Sequence, residues 1–130
     1  MSRSSEQGFY ENKSFWNPER YAPIEYERTL ETWRWVPEDT VSLLDLGCGN
    51  GIFCNHAPQH IDTYAVDRAF APLSWVDKPV LQADALALPF NDKQFDVVVS
   101  LEVLEHLPYK VFPLVLSGIQ HAVVQDLILS

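Results

Sequence analysis

The chain has 130 residues, of which 9 are Lys or Arg and 18 are Asp or Glu, so its formal net charge is −9 at pH 7. A negative field of this size opposes contact with phosphate backbones, and the basic residues are scattered, so we expect no nucleic-acid partner. Hydrophobic residues make up 47% of the chain and charged residues 21%. That balance excludes a wholly disordered chain and is typical of one globular domain.

The sequence carries no signal of targeting, membrane insertion or metal binding. The first residues, Met1 to Gly8, are polar and lack the apolar core of a signal peptide. No apolar run approaches the roughly 20 residues that span a bilayer. The two cysteines, Cys48 and Cys54, have no zinc-ligand spacing and are too few for a disulfide framework. We therefore expect a cytoplasmic protein with reduced thiols, no metal and no membrane partner.

The first 40 residues are rich in aromatic side chains. A helix start is indicated at Asn17, followed by Pro18, and a second helix is predicted from Ile24 to Trp35, before Pro37. The aromatics have two interpretations: they pack these helices on a sheet, or some of them cover a ligand. The residues favoured for the second role are Tyr10, Trp16 and Tyr21. We predict that residues 1–40 form a helical lid and residues 41–130 the core of one domain.

From Val41 onward, short apolar runs alternate with short helical segments. This alternation predicts an α/β fold, with an open, doubly wound, mainly parallel sheet of about five strands. The predicted strands are Val41–Asp45, Thr63–Asp67, Val80–Asp84, Phe95–Ser100 and Asp126–Leu129. The predicted helical segments between them are Ile52–Ala57, Ala69–Val76, Glu102–Leu107 and Lys110–Val123.

The first strand runs into a turn with glycines at Gly47, Gly49 and Gly51. A dinucleotide fold requires G-x-G-x-x-G, but here the third glycine comes one position early. Asp45 also stands two residues before the first glycine, where a carboxylate would repel a pyrophosphate. The same carboxylate suits a ligand with an ammonium group.

Polar residues stand at or near the ends of the predicted strands: Asp45, Asp67, Asp84 and Ser100. Right-handed crossovers bring these ends to one edge of the sheet, where such folds bind ligands. Asp67 is placed to accept hydrogen bonds from a ribose diol, and Asp84 from an exocyclic amine. A ligand with an amino-acid end, a ribose and an adenine satisfies all three acids. The competing interpretation is that each acid is an ordinary turn or capping residue.

Four stretches resemble motifs of one family in the order in which that family has them. They are Leu43–Gly51, Ala65–Asp67, Ala83–Phe90, and Phe95–Ser100 running on into Glu102–Leu107. They resemble the class I S-adenosylmethionine-dependent methyltransferases, and are most similar to the small-molecule type of quinone biosynthesis. The resemblance implies a Rossmann-like fold, S-adenosyl-L-methionine as cofactor, S-adenosyl-L-homocysteine as product, and a small-molecule methyl acceptor.

The resemblance also implies a role for each matched position. Asp45 and the backbone of Gly47, Cys48 and Gly49 would lie along the methionine part of the cofactor. Asp67 would bind the ribose, and Arg68 would flank the adenine. Asp84, Ala85 and Leu86 would contact the adenine, and Ser100 would lie near the sulfonium. No catalytic residue is assigned, because the one candidate base, His106, belongs to a segment that recurs in the family whatever the acceptor.

The sequence departs from the family at its end. Members of the family carry seven strands, whereas this sequence stops at the fifth, so the sheet is expected to be truncated. Three explanations remain: a truncated piece of a longer protein, a natural minimal enzyme, and a homodimer that covers the fifth-strand edge. We favour the last. Two functions remain open: a methyltransferase, or a non-catalytic cofactor-binding subunit or fragment.

Overall fold

The computed structural model describes residues 11, 16–17, 19, 23–90, 92–101 and 107–129. Within these ranges the chain forms a five-stranded, all-parallel sheet in the order β3-β2-β1-β4-β5. The strands are β1 Ser42–Leu46, β2 Asp62–Asp67, β3 Val80–Gln82, β4 Phe95–Ser100 and β5 Val123–Leu129. The helices are α1 Pro23–Glu31 and α2 Phe112–Ala122, with 3-10 helices at Thr32–Trp35, Cys54–His56, Ala71–Trp75 and Tyr109–Val111. The predicted Rossmann-like α/β architecture is confirmed.

The central strands β1 and β4 are buried on both faces of the sheet. Leu43 and Leu44 in β1 are 0% exposed, and the run from Val97 to Val99 in β4 is equally inaccessible to solvent. Near-continuous apolar runs of this kind are typical of parallel strands that are covered on both sides. Burial of these side chains supplies most of the free energy that holds the sheet together.

Helix α2 covers one face of the sheet. Its buried residues Val115, Ile119 and Ala122 follow one another at helical spacing, so they form a single apolar stripe. This stripe packs in one cluster with Leu44 and Val98 of the central strands. Pro113 is accommodated because it lies in the first turn, where a backbone N–H has no partner within the helix.

The opposite face is covered mainly by single turns and by Trp33. The Trp33 indole N–H donates to the Phe53 carbonyl at 3.0 Å, and the two rings stack with their centroids 4.1 Å apart. Both side chains pack with Leu43 and Val97. The described residues that cover this face therefore come from the predicted N-terminal cap, from the turn after the glycines and from the 3-10 helix after β2, which contributes Leu73.

Several predicted boundaries were wrong. The third strand ends at Gln82 and not at Asp84, and the fifth begins at Val123, directly after α2, and not at Asp126. The segments after the glycines and after β2, predicted as helices, are 3-10 helices of three and five residues. Pro58 lies just after the first of these segments and Pro72 in the first turn of the second; a helix that began at Ala69, as predicted, would need the N–H that Pro72 lacks. The predicted helix from residue 110 begins as a 3-10 helix and becomes α2 at Phe112.

The N-terminal predictions are covered only in part. The predicted helix Ile24–Trp35 is α1 followed by the 3-10 helix that ends at Trp35. Asn17 accepts a hydrogen bond from the Glu19 N–H at 3.0 Å, as expected of a helix cap.

The predicted helix Glu102–Leu107 falls almost wholly on residues 102–106, which include His106 and lie outside the described residues.

Truncation of Trp33 tests this second face of the core. We expect Trp33→Ala to lower the free energy of unfolding by about 2–3 kcal/mol, because it removes both the ring stacking and the bond to Phe53. Trp35→Ala is the matched control, since Trp35 is 75% exposed and its loss should change stability by only about 0.5 kcal/mol. Urea unfolding measures both values. Equal effects of the two substitutions would contradict this account of the packing.

Candidate functional site

The glycine turn after β1 has the geometry that its sequence predicts. Gly47, Gly49 and Gly51 all have positive φ, at 77°, 54° and 85°. The N–H groups of Gly47 and Cys48 both donate to the Val66 carbonyl, at 2.7 and 2.9 Å. The turn is therefore fastened to the end of β2, and its left-handed backbone favours glycine at these positions.

Gly49 also has a steric reason to lack a side chain. A Cβ atom built on Gly49 would come within 2.6 Å of the Trp16 ring. The Asn50 side-chain amide donates to the Trp16 carbonyl at 2.6 Å, which holds Trp16 against the turn. Of the three aromatic residues predicted to cover a ligand, Trp16 thus lies on the glycine turn. The other two, Tyr10 and Tyr21, lie outside the described residues.

Asp67, at the end of β2, connects the glycine turn to the loop that follows its own strand. One carboxylate oxygen accepts the Gly49 N–H at 2.8 Å, and the other accepts the Ala69 N–H at 2.8 Å. Burial raises the pKa of this carboxyl, while the two backbone bonds and the nearby Arg68 lower it. Each oxygen keeps a second lone pair that a further donor can use.

Asp45 is a buried carboxyl on the face of β1 that carries Leu43. It is 2% exposed, and its Oδ2 has no hydrogen-bond partner among the residues that the structure describes. Burial raises the pKa of Asp45 to about 7; the neighbouring Cys54 thiol opposes this rise, and the charge of Asp67 adds to it. A buried oxygen without a partner costs free energy, so a cationic donor at this point would be stabilising.

Ser100 is the last residue of β4, whereas Asp84 lies two residues beyond the end of β3, in a different environment. The Asp84 carboxylate accepts the Leu86 N–H at 3.0 Å, which closes a turn after β3. Ser100 pairs with Leu46, the residue before the glycine turn, and is 1% exposed. Within the described part of the chain its hydroxyl has no hydrogen-bond partner.

Three other residues that were predicted to contact the cofactor lie in packed surroundings. Ala85 and Leu86 are half-buried and pack against the cluster on the α2 face. Cys48 is buried in the turn, and burial raises the pKa of its thiol far above the ordinary range. Within the described part of the chain, hydrogen bonds thus join the glycine turn to Asp67.

Sequence reasoning missed several residues that shape this edge. Glu11 accepts the N–H groups of Phe70 and Ala71, at 2.6 and 3.2 Å. Asn55 binds the Trp75 carbonyl and the Asp77 N–H, both at 2.9 Å. Glu11 lies in a polar segment without periodicity, so no sequence signal could have found it. Asn50 could have been identified from the sequence, because it lies between two glycines of the predicted turn.

Among the described residues, other polar groups serve to connect elements of the fold. His56 joins the Tyr26 hydroxyl, at 2.8 Å, to the Ile52 carbonyl and so connects α1 to the turn after the glycines. Within the described ranges no group of three or more His, Cys, Asp or Glu residues could hold a metal ion. None of the helices described there is long and apolar enough to cross a bilayer.

The buried Asp45 carboxyl should make the stability of the protein fall as pH rises. Its pKa is about 7 in the folded state against an ordinary 3.8, so the folded state holds the proton over that interval. Stability therefore decreases from about pH 4 to about pH 7 and then levels off. Between pH 5 and pH 8 this one group accounts for about 2–3 kcal/mol.

Urea unfolding of the wild type and Asp45→Asn at both pH values measures the effect. The difference between pH 5 and pH 8 should be smaller in the variant, although the raised pKa of Asp67 leaves a residual slope of the same sign. Asp62→Asn, at an exposed position of β2, is the matched control. Identical pH dependence in the wild type and Asp45→Asn would contradict the expectation.

Comparison with known proteins gives a consistent family. A sequence model described as a methyltransferase domain matches residues 44–120. The ubiquinone biosynthesis O-methyltransferase of Bartonella tribocorum is 30% identical over 118 residues, which cover 78% of this chain and 47% of that protein. The chain thus spans about half the length of this relative.

Solved structures share the fold at low sequence identity. The magnesium protoporphyrin IX methyltransferase of Synechocystis PCC 6803 with bound SAM superposes with a TM-score of 0.78 at 16% identity, over 97% of this chain and 74% of that chain. A SAM-dependent methyltransferase from Archaeoglobus fulgidus superposes with a TM-score of 0.67 at 21% identity, over 92% of this chain and 52% of that chain. Because the family match covers more than half of the sequence, the chain belongs to the methyltransferase domain family.

Proposed function

We propose that this chain binds S-adenosyl-L-methionine at the carboxyl edge of its sheet and transfers the methyl group to a small-molecule acceptor. The observation that carries the proposal is the bonding of Asp67, whose carboxylate accepts one N–H from the left-handed glycine turn and one from Ala69 and keeps a lone pair on each oxygen. Membership of the methyltransferase domain family supports the reaction class. The relative from Bartonella, named as an O-methyltransferase of ubiquinone biosynthesis, supports a small-molecule acceptor.

The residues of this edge suit the chemical groups of the cofactor. The partnerless Asp45 oxygen can accept a bond from an ammonium group, along the backbone of Gly47, Cys48 and Gly49. The free lone pairs of Asp67 can accept ribose hydroxyls, with Arg68 beside the adenine. Around Asp84, the adenine would meet Ala85 and Leu86, and Ser100 would lie on the sulfonium side.

When bound, S-adenosyl-L-methionine supplies an electrophilic methyl group, so the protein must chiefly align an acceptor with it. Correct orientation alone can supply a large share of a rate enhancement. The carboxylate of Asp67 also places negative charge where a cationic cofactor arrives, and an ammonium group beside Asp45 would favour the ionised form of that carboxyl. We therefore assign these residues to binding and orientation, and assign no general base.

The N-terminal segment fits the role of a cover over this edge. Trp16 contacts the glycine turn, and Trp33 packs on Phe53 immediately after it. We propose that residues 1–40 act as a lid on a core formed by residues 41–130. The buried free thiols of Cys48 and Cys54 are consistent with work in the reducing cytoplasm.

A non-catalytic cofactor-binding subunit, or a fragment of a methyltransferase, is the second candidate. It is favoured by one observation, namely that the chain spans about half the length of its relative. Incubation with S-adenosyl-L-methionine and a panel of phenols, catechols and amines distinguishes the two. Formation of S-adenosyl-L-homocysteine supports the enzyme, whereas binding without turnover across the panel supports the subunit.

Isothermal titration calorimetry with S-adenosyl-L-homocysteine tests the cofactor assignment. We expect binding to the wild type and about tenfold or greater weakening in Asp67→Asn, because hydrogen bonds to a charged acceptor contribute about 1.5–3 kcal/mol. Asp126→Asn, on the exposed surface of β5, is the control and should bind as the wild type does. Absence of binding by the wild type would refute the cofactor assignment, and equal binding by Asp67→Asn would refute the ribose role.

We also propose that a second copy of the chain covers the outer edge of β5. Among the strands described, β5 pairs with β4 alone, and Val124 and Leu129 are 51% and 42% exposed. An exposed apolar edge of this kind favours association. Light scattering should give a dimer mass for the wild type and a monomer mass for Val124→Lys. Val80→Lys, at the opposite edge, should remain dimeric; a monomeric wild type would contradict the proposal.

A further inference from the structure

In the loop after β2, the backbone N–H groups of residues 69–71 donate hydrogen bonds to two different carboxylates. Asp67 takes the first, from Ala69, at 2.8 Å. Glu11 takes the next two, from Phe70 at 2.6 Å and from Ala71 at 3.2 Å, one with each oxygen. Glu11 and Phe70 are 59 positions apart in the sequence, so this is a tertiary contact and not local turn geometry.

The contact with Glu11 restrains the loop on which the orientation of Asp67 depends. Asp67 is held at both oxygens, by Gly49 on one side and by Ala69 on the other. A shift of the loop at Phe70 would carry the Ala69 N–H with it and turn the carboxylate. Because charge-assisted bonds to backbone N–H groups are about twice as strong as neutral ones, Glu11 is an effective restraint.

A second anchor holds the same N-terminal segment on the neighbouring loop. Trp16 follows Glu11 by five positions and lies on Gly49, while its carbonyl accepts the Asn50 side chain at 2.6 Å. Trp16 therefore contacts the loop after β1, and Glu11 contacts the loop after β2. The negative charge of Glu11 also contributes, after burial, to the raised pKa of Asp67, which indicates that the two carboxylates are close.

We propose that Glu11 is a positioning residue of the cofactor site, which holds the loop after β2 so that Asp67 presents its free lone pairs to the ribose. Glu11 acts through Asp67 and does not contact the cofactor. This inference rests on the proposed binding of S-adenosyl-L-methionine at the same edge. It makes the N-terminal segment a structural part of the cofactor site, in addition to a cover over it.

Titration of Glu11→Gln with S-adenosyl-L-homocysteine is the first test. We expect about five- to tenfold weaker binding than in the wild type. In the variant, the glutamine NH₂ group replaces one carboxylate oxygen, so one backbone N–H loses its acceptor. Glu38→Gln, at an exposed position in the turn before β1, is the matched control and should bind as the wild type does. The isosteric glutamine keeps the size of the side chain, and thermal unfolding verifies that each variant is folded at the temperature of the titration.

A double-mutant cycle with Asp67→Asn separates positioning from a general loss of structure. If Glu11 acts through Asp67, Glu11→Gln should change the affinity by less than about twofold in the Asp67→Asn background. Additive effects of the two substitutions, or unchanged binding by Glu11→Gln alone, would overturn the inference. If the wild type itself does not bind S-adenosyl-L-homocysteine, the proposed function fails as well. Binding by the wild type with an unaffected Glu11→Gln variant contradicts only the role of Glu11.

Discussion

The structure depends on the carboxylate of Asp67, which accepts one N–H from the glycine turn and one from its own loop. Neither loop has regular secondary structure at that point, so their relative position must come from specific hydrogen bonds. A carboxylate suits this purpose because its two oxygens can accept from donors on opposite sides and still retain lone pairs. The group proposed to bind the ribose is thus also the group that organises the loops around it.

Among the residues that the structure describes, the two faces of the sheet are covered in different ways. On one face α2 supplies an apolar stripe, but on the other the cover consists of 3-10 turns and the stacked rings of Trp33 and Phe53. Large aromatic rings bury much area per residue, which lets a short segment take the place of a longer helix. The carboxyl edge therefore relies on contacts from the N-terminal segment, since Glu11 and Trp16 hold loops that, among the described residues, contain only short 3-10 helices.

The strands and the acids at their ends were predictable from the sequence because apolar runs and glycine turns are local signals. The strand assignments at Thr63–Asp67 and Phe95–Ser100 needed almost no correction for this reason. The last residue of β3 and the first residue of β5 were predicted wrongly, since strand pairing and the end of α2 determine them and sequence propensity does not. Glu11 could not be predicted at all: its partners are backbone N–H groups distant in sequence, and any loop presents such groups.

The two thiols described above give the glycine turn a chemical property of its own. Cys48 lies within the turn and Cys54 begins the 3-10 helix after it, and burial raises the pKa of both thiols well above the ordinary range. Because the thiolate is the reactive form, neither residue should be alkylated while the turn is closed. Local opening exposes them and restores ordinary reactivity. The rate of thiol alkylation under native conditions therefore reports how often the glycine turn, or the Leu73 side chain that packs with both thiols, departs from its folded position.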